Sequence, residues 1–399
     1  MANYRQLFLD HLGQTSLSPL LLEIDRAEGV FIYGPSGIKY MDLISGVCVN
    51  NVGHCHPEVV KAIKEQVEKY SHLMVYGEII QSPQVRYAEK LTSLLPFPLR
   101  SCFFVNSGSE AVEGALKLAK RYTGRSRIIS FKNAYHGSTH GALSVQGDEQ
   151  FKNAFRPLLP DTFIIDFNNP ESLNLIDKNT ACVIVEPIMA EAGVILPADN
   201  FLNKLREKCT EEGALLIFDE VQTGFGRIGE LFATIRFGVI PDILVLAKAL
   251  GGGMPLGAFI SSVEIMSTLA RNPQLGHITT FGGHPVSCAA GLASLEVIFS
   301  QNLIAECRRK SDLFRKVLKH PAIKNIRGEG LLLAVELNNS RSVSYVVSRA
   351  PEFNLILDYF LFCNDHFRIA PPLIITDDEI LWACNRLNDL LDDVTKNVR

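Results

Sequence analysis

The chain has 399 residues, 47% of them hydrophobic and 21% charged, and its 39 basic and 43 acidic side chains leave a net charge of −4. That composition excludes disordered, collagen-like and low-complexity classes, and a mildly acidic chain without a Lys/Arg-rich block is a poor match for nucleic acid. At roughly 100–200 residues per domain, two or three domains are expected.

The N-terminal MANYRQLFLDHLGQ has no basic segment followed by a long apolar stretch, so no signal peptide is expected. Gly29 to Ile32 and Gly37 to Met41 read as paired strands. From about residue 100 to 260, short apolar runs alternate with amphipathic stretches: Cys102 to Val105, Arg127 to Phe131, Ala181 to Val185, Ala214 to Phe218 and Ile243 to Ala247. This is the βα pattern of a parallel sheet with helices on its faces. Residues 110–123 place Ala111, Ala115, Leu118, Ala119 and Tyr122 on one face, which predicts a helix. Between Asp242 and Glu264 the only charge is Lys248, yet Gly251-Gly252-Gly253 and Pro255 would break a spanning helix, so no membrane partner is expected.

In the tail, Ser311 to Leu318 and Asp377 to Leu391 read as helices, and Gly330 to Leu337 and Phe367 to Ile375 as strands. The predicted division is a large domain over 47–302 and a smaller α+β domain built from 1–46 and 303–399. Nine cysteines, an odd number with no CxxC pair, read as reduced thiols in the cytoplasm, and no metal site is expected.

Ligands of open α/β sheets bind beyond the carboxyl ends of the strands. Asn106, Glu186, Asp219 and Lys248 each follow an apolar run, and Phe131 leads into Tyr135-His136-Gly137. Any one of these has a plain structural reading, as a helix cap, a turn residue or core. Lys248 is the hardest to read that way, because enclosing an ammonium among apolar groups is costly and depresses its pKa, and such an amine can form an imine with a carbonyl.

The loop Asn106-Ser107-Gly108-Ser109-Glu110 leads into the predicted helix, where free backbone N–H groups and the helix dipole can hold a phosphate, although Ser109 also reads as a simple N-cap. Neither GxGxxG nor GxxxxGK[ST] is found in this loop. A phosphate seat, a lysine, a carboxylate and a stacking aromatic together match the needs of pyridoxal 5'-phosphate. Lys248 would meet the aldehyde and Asp219 the pyridine nitrogen, with Tyr135 and Val221 on the two ring faces.

The ordered motifs NSGSEAVEGALKLAKRYTGR, AYHG, VEPIMAEAG, IFDEVQTGFGR, LAKALGGGMPLGA, TTFGGHP and FRIAPPL resemble the class III pyridoxal-phosphate aminotransferases, the acetylornithine, ornithine, 4-aminobutyrate and ω-amine transaminase group. The resemblance implies fold type I, a ping-pong Schiff-base mechanism and a homodimer with shared active sites. It makes Lys248 the Schiff-base lysine and Asp219 the ring-nitrogen partner. Gln222 would reach the ring hydroxyl, and Gly108 and Ser109 the phosphate. Thr280 would reach the phosphate in the neighbouring subunit, Arg368 would take an α-carboxylate, and Glu191 would pair with Arg368 when none is bound.

Three departures bear on the donor. Ser138 follows Tyr135-His136-Gly137 where the acetylornithine, ornithine and 4-aminobutyrate enzymes carry an arginine, so the distal-carboxylate clamp is missing. Val47 stands where ornithine aminotransferase has a tyrosine, and Met189 makes the pocket more apolar. His284 replaces an asparagine, implying a changed loop hydrogen bond. The expected reaction moves an amino group from an ω-amine or ω-amino acid to an α-keto acid, 2-oxoglutarate or pyruvate. Alternatives are an acetylornithine or 4-aminobutyrate aminotransferase proper, an aminomutase or decarboxylase on the same fold, and a non-catalytic binding protein, which would be expected to lose Lys248 or Asp219.

Overall fold

The computed structural model describes residues 3–398 other than Ser36 and Tyr76. The N-terminal region supplies β1 (Arg26–Glu28), β2 (Phe31–Tyr33) and β3 (Lys39–Asp42). The middle supplies β4 (Ser101–Val105), β5 (Arg127–Phe131), β6 (Thr162–Ile165), β7 (Thr180–Val185), β8 (Leu215–Asp219), β9 (Ile243–Leu246) and β10 (Gly257–Ser261). The C-terminal region supplies β11 (Asn325–Glu329), β12 (Leu332–Glu336), β13 (Leu355–Ile356), β14 (Asp358–Tyr359) and β15 (His366–Ile369).

The central sheet has the order β4-β10-β9-β8-β7-β5-β6. Its members from β9 to β6 run parallel, and β10 is antiparallel to both β4 and β9. The fold is therefore α/β of type I, with a mainly parallel central sheet. Strands buried on both faces read as unbroken apolar runs, and β7, β8 and β9 are buried at every residue. β6 and β10 lay outside the predicted runs: TFII is short, and GAFIS sits among the glycines and prolines that argued against a membrane span.

The helix after β4 spans Gly108–Thr123 and ends at Gly124, whose φ of 68° suits a residue without Cβ. Ala111, Ala115, Leu118 and Ala119 are buried as expected, but Tyr122 is 39% exposed. Its phenol donates to Glu264 Oε1 at 2.8 Å, which holds the ring at the rim. Gly114 faces Phe259 of β10, and a Cβ there would lie 2.2 Å from the ring, so this helix can approach the sheet only with glycine at that position.

Two smaller four-stranded sheets flank the centre. In one, β1-β2-β3 is extended by β13, which pairs parallel with β3; the other has the order β11-β12-β15-β14. The run expected from Phe367 to Ile375 ends at Ile369, before Pro371 and Pro372, which cannot donate to a ladder. Helices cover Leu303–Val317 and Asp377–Asn397, the latter opened by a capping box of Thr376 and Glu379.

Arg227 is fully buried and ties distant segments together. It donates to the carbonyls of Leu331 at 3.0 Å and Pro371 at 2.6 Å, to Ser45 Oγ at 3.0 Å, and to Asn51 Oδ1. Among the described residues no single helix is long and apolar enough to cross a membrane. All nine cysteines are unpaired.

Candidate active site

The carboxyl ends of β4, β5, β7, β8 and β9 converge on a cavity of about 480 Å³. Its wall includes Asn106, Ser107, Gly108, Ser109, Tyr135, His136, Gly137, Ser138, Glu186, Asp219, Val221, Gln222 and Lys248, together with Val49 and Met254, which sequence reasoning had not singled out.

Ser107, not Ser109, is the N-cap of the Gly108–Thr123 helix: its side chain accepts from Glu110 N at 3.2 Å. Ser109 Oγ is thereby left to meet Thr139 Oγ1 at 2.7 Å and to accept from Thr139 N at 3.1 Å. Gly137 makes this approach possible. Its φ is 121°, and a Cβ there would lie 2.4 Å from Ser109 Oγ. Gly108 and Ser109 thus line the cavity at a helix N-terminus, the arrangement that stabilises a phosphate. Gly108 lies under Val221, with its notional Cβ 3.1 Å from Val221 Cγ1, so a bulkier residue would crowd this wall.

Asp219, the last residue of β8, is 5% exposed. Its Oδ2 pairs with His136 Nδ1 at 2.7 Å and its Oδ1 accepts from Val221 N at 3.1 Å. The imidazole therefore orients the carboxylate from behind, while His136 Nε2 is buried without a partner. Lys248 opens a single 3₁₀ turn directly after β9. Its ammonium donates to Gln222 Oε1, whose companion Nε2 is also buried and unpartnered. Burial lowers the Lys248 pKa from the usual lysine value, against the opposing influence of Cys48 and Glu191. A lysine amine whose charged form burial disfavours, a carboxylate on the same cavity wall, an unpartnered amide donor and a helix N-terminus fit pyridoxal phosphate group by group.

Glu186 braces the wall from within it. Its two oxygens accept from Tyr135 N at 2.9 Å and Ala190 N at 3.1 Å, linking the Tyr135 loop to the segment carrying Glu191. Burial, with the neighbouring Asp219 charge, raises its carboxyl to about 8. A carboxyl raised above its unfolded value holds a proton in the native state that the unfolded chain has lost, so stability falls as pH climbs through that interval. In the cofactor-free protein, Glu186→Gln is expected to flatten the decline in stability from about pH 4.5 to about pH 8, at lower overall stability because its NH2 meets an N–H donor. Denaturant titrations of both proteins across that range test this, and equal slopes would refute it.

Arg368, on β15, is 1% exposed. Its Nη2 donates to both oxygens of Glu191, at 2.7 and 2.8 Å, while Nε and Nη1 are buried without partners. Phe360 lies 4.6 Å beneath the guanidinium, and Leu361 N donates to Glu191 Oε2 at 3.2 Å. Ser138 is exposed, and among the described residues its side chain meets only Tyr135 OH, at 3.3 Å. Val47 is half-buried with φ 62°, and Val49 rather than Val47 lines the cavity. Thr280 is exposed and lies outside this chain's own cavity wall.

His284 makes no side-chain cap bond to the helix it precedes. Its ring instead stacks on His72, with centroids 5.6 Å apart and planes within 9°, which replaces the expected loop hydrogen bond. Cys363, Asp365 and His366 bring three potential ligand atoms within 4.8 Å of one another, yet the Arg327 guanidinium sits 3.5 Å from Cys363 Sγ and supplies positive charge there already.

The Aminotransferase class-III family model matches residues 13–391. An acetylornithine aminotransferase of Methanopyrus kandleri is 39% identical over 386 residues, 96% of either chain. A solved transaminase from the marine bacterium Virgibacillus superposes over 100% of both chains, with TM-score 0.93 and 27% identity. The ornithine aminotransferase of Toxoplasma gondii, solved with partial occupancy of PLP at its active site, superposes with TM-score 0.90 and 31% identity over 98% of this chain and 94% of its own. The chain belongs to the class-III aminotransferases, enzymes that work with pyridoxal phosphate.

Proposed function

We propose that this aminotransferase takes its amino group from a terminal amine, an ω-amine or ω-amino acid, and delivers it to an α-keto acid. Bound at the site, pyridoxal phosphate supplies an aldehyde that takes up the amino group and a ring that draws electron density from the reacting carbon. Lys248 would bind the aldehyde between turnovers and, once displaced, would move a proton at Nζ; burial lowers its pKa from the usual lysine value, which favours that role. Asp219, steered by His136, would hold a proton on the ring nitrogen, and Gln222 would reach the ring hydroxyl. Ser107, Gly108 and Ser109 would seat the phosphate, and Tyr135 and Val221 would close the ring faces.

The observation that carries the two-substrate reading is Arg368, buried with Glu191 on one nitrogen and two further N–H groups unpartnered. With a donor lacking a nearby carboxylate, Glu191 stays on Arg368. When the keto acid arrives, Glu191 yields and the guanidinium takes the acid's carboxylate bidentately. Arg368→Lys is expected to slow the keto-acid half-reaction by roughly ten- to a hundredfold, with little change in the amine half-reaction. Single-turnover absorbance measured separately for each half tests this, and equal slowing of both would make Arg368 structural.

N-acetylornithine as donor is the second reading, favoured by the name of the 39% identical relative. Against it stands Ser138, exposed and without charge where a donor's carboxylate would need a cation. We further propose a homodimer in which Thr280 reaches the partner's phosphate site. Its exposure, and that of Ile278 and Phe281 beside it at 47% and 54%, support that reading. Unpaired cysteines support a cytoplasmic setting.

A further inference from the structure

β14 and β15 run antiparallel with Asp358 directly opposite Arg368. Residues opposed in this way present their side chains on the same face. Phe360, two positions beyond Asp358, is on that face as well, since its ring underlies the guanidinium. Leu361 and Phe362 then donate their N–H groups to the Glu191 side chain and carbonyl, at 3.2 and 3.1 Å. One short segment, 358–362, therefore walls the carboxylate site and adds to it a second acid.

That acid is not used by the fold in the way its neighbours are. Asp358 Oδ1 accepts from Tyr359 N at 2.8 Å, and among the described residues no side chain pairs with its other oxygen. No hydrogen bond joins it to Arg368 among the described residues: Nη2 is held by both oxygens of Glu191, and Nε and Nη1 have no partner. Burial raises the Asp358 carboxyl above the usual range, with Arg368 opposing, so the group is enclosed near that guanidinium and is costly to keep charged. Around the guanidinium the acids Glu191 and Asp358 outnumber Arg368 by one, and the other nearby cation, Lys248, would be taken up by the cofactor in the holoenzyme. A donor carrying a second cation supplies the missing charge, whereas an uncharged alkyl end, an N-acetyl group or a carboxylate does not.

We infer that Asp358 is a specificity-determining residue that receives the remote ammonium of an α,ω-diamine donor while Glu191 remains on Arg368. This rests on the terminal-amine reading above. In the holoenzyme, 1,4-diaminobutane and 1,5-diaminopentane should exceed butylamine and pentylamine in kcat/KM by roughly ten- to a hundredfold, the scale of a charge-assisted hydrogen bond. Asp358→Asn keeps the acceptor for Tyr359 N and should bring that ratio close to one. Because the ratio is the readout, any general loss of activity cancels. The fully N-methylated diamine and monoamine, which cannot react, should show the same discrimination in calorimetric dissociation constants, and lose it in the variant. A ratio within about twofold in the wild-type enzyme, or one unchanged by Asp358→Asn, would overturn the inference while leaving terminal-amine transfer standing. Transfer from α-amino acids alone would overturn the terminal-amine reading and this inference with it.

Discussion

Lys248→Ala is expected to lower turnover by about 10²–10⁴-fold, the scale on which a positioned proton-transfer group contributes. The fold should survive, because among the described residues the Lys248 amine makes one side-chain hydrogen bond, to Gln222, and burial already disfavours its charged form. Methylamine added to the variant should restore part of the rate by entering the space left behind. Single-turnover absorbance with and without methylamine reads both effects, and a variant within tenfold of wild type would remove Lys248 from the chemistry. The same variant tests the shared site. Mixed with Thr280→Ala it should form dimers with one doubly damaged site and one intact site, so activity should exceed that of either parent. No gain on mixing would count against Thr280 serving the partner.

Asp219→Asn should cost about 10²–10³-fold in transamination, comparable to removing one preorganised electrostatic group from an active site. The substitution keeps the size of the side chain but removes the charge that holds a proton on the ring nitrogen. It also weakens the 2.7 Å contact that fixes His136, so the ring of that histidine, whose other nitrogen is already buried without a partner, loses its anchor. Cofactor content measured after denaturation separates a loss of binding from a loss of chemistry. Retained cofactor with activity within a few-fold of wild type would reduce Asp219 to a structural role.

These two residues were legible because a charge at the end of a fully apolar run has few structural uses, and both runs are short enough to count along. The pair that makes the second substrate possible was not legible from the residues themselves. Glu191 and Arg368 are 177 positions apart, neither follows a strand of the central sheet, and only the likeness to a family singled them out. Asp358 gave no local signal at all, since its position opposite Arg368 depends on the register of two short strands. Among the strands, β5, β7, β8 and β9 stand out as apolar runs, whereas β10 hides among the glycines that let the chain turn after Lys248. The role of Glu186 was half visible: its place at a strand end was clear, but its two backbone partners come from loops whose path no periodicity encodes.

Arg227 has a consequence for the order in which the chain can mature as it leaves the ribosome. Its acceptors lie at residues 45, 51, 331 and 371, so the guanidinium emerges with two of them already made and the other two still to be synthesised. Until Pro371 has appeared, the large sheet can assemble around β8 only with this cation hydrated or partly paired, and full burial has to wait for the far end of the chain. A nascent chain stalled before that point would thus keep a wet, unsealed seam around this guanidinium, where residues 45 and 51 still await the carbonyl of residue 371. Synthesis through residue 371 supplies the last acceptor, so full burial of this cation comes late, after the sheet that carries Lys248 has been made.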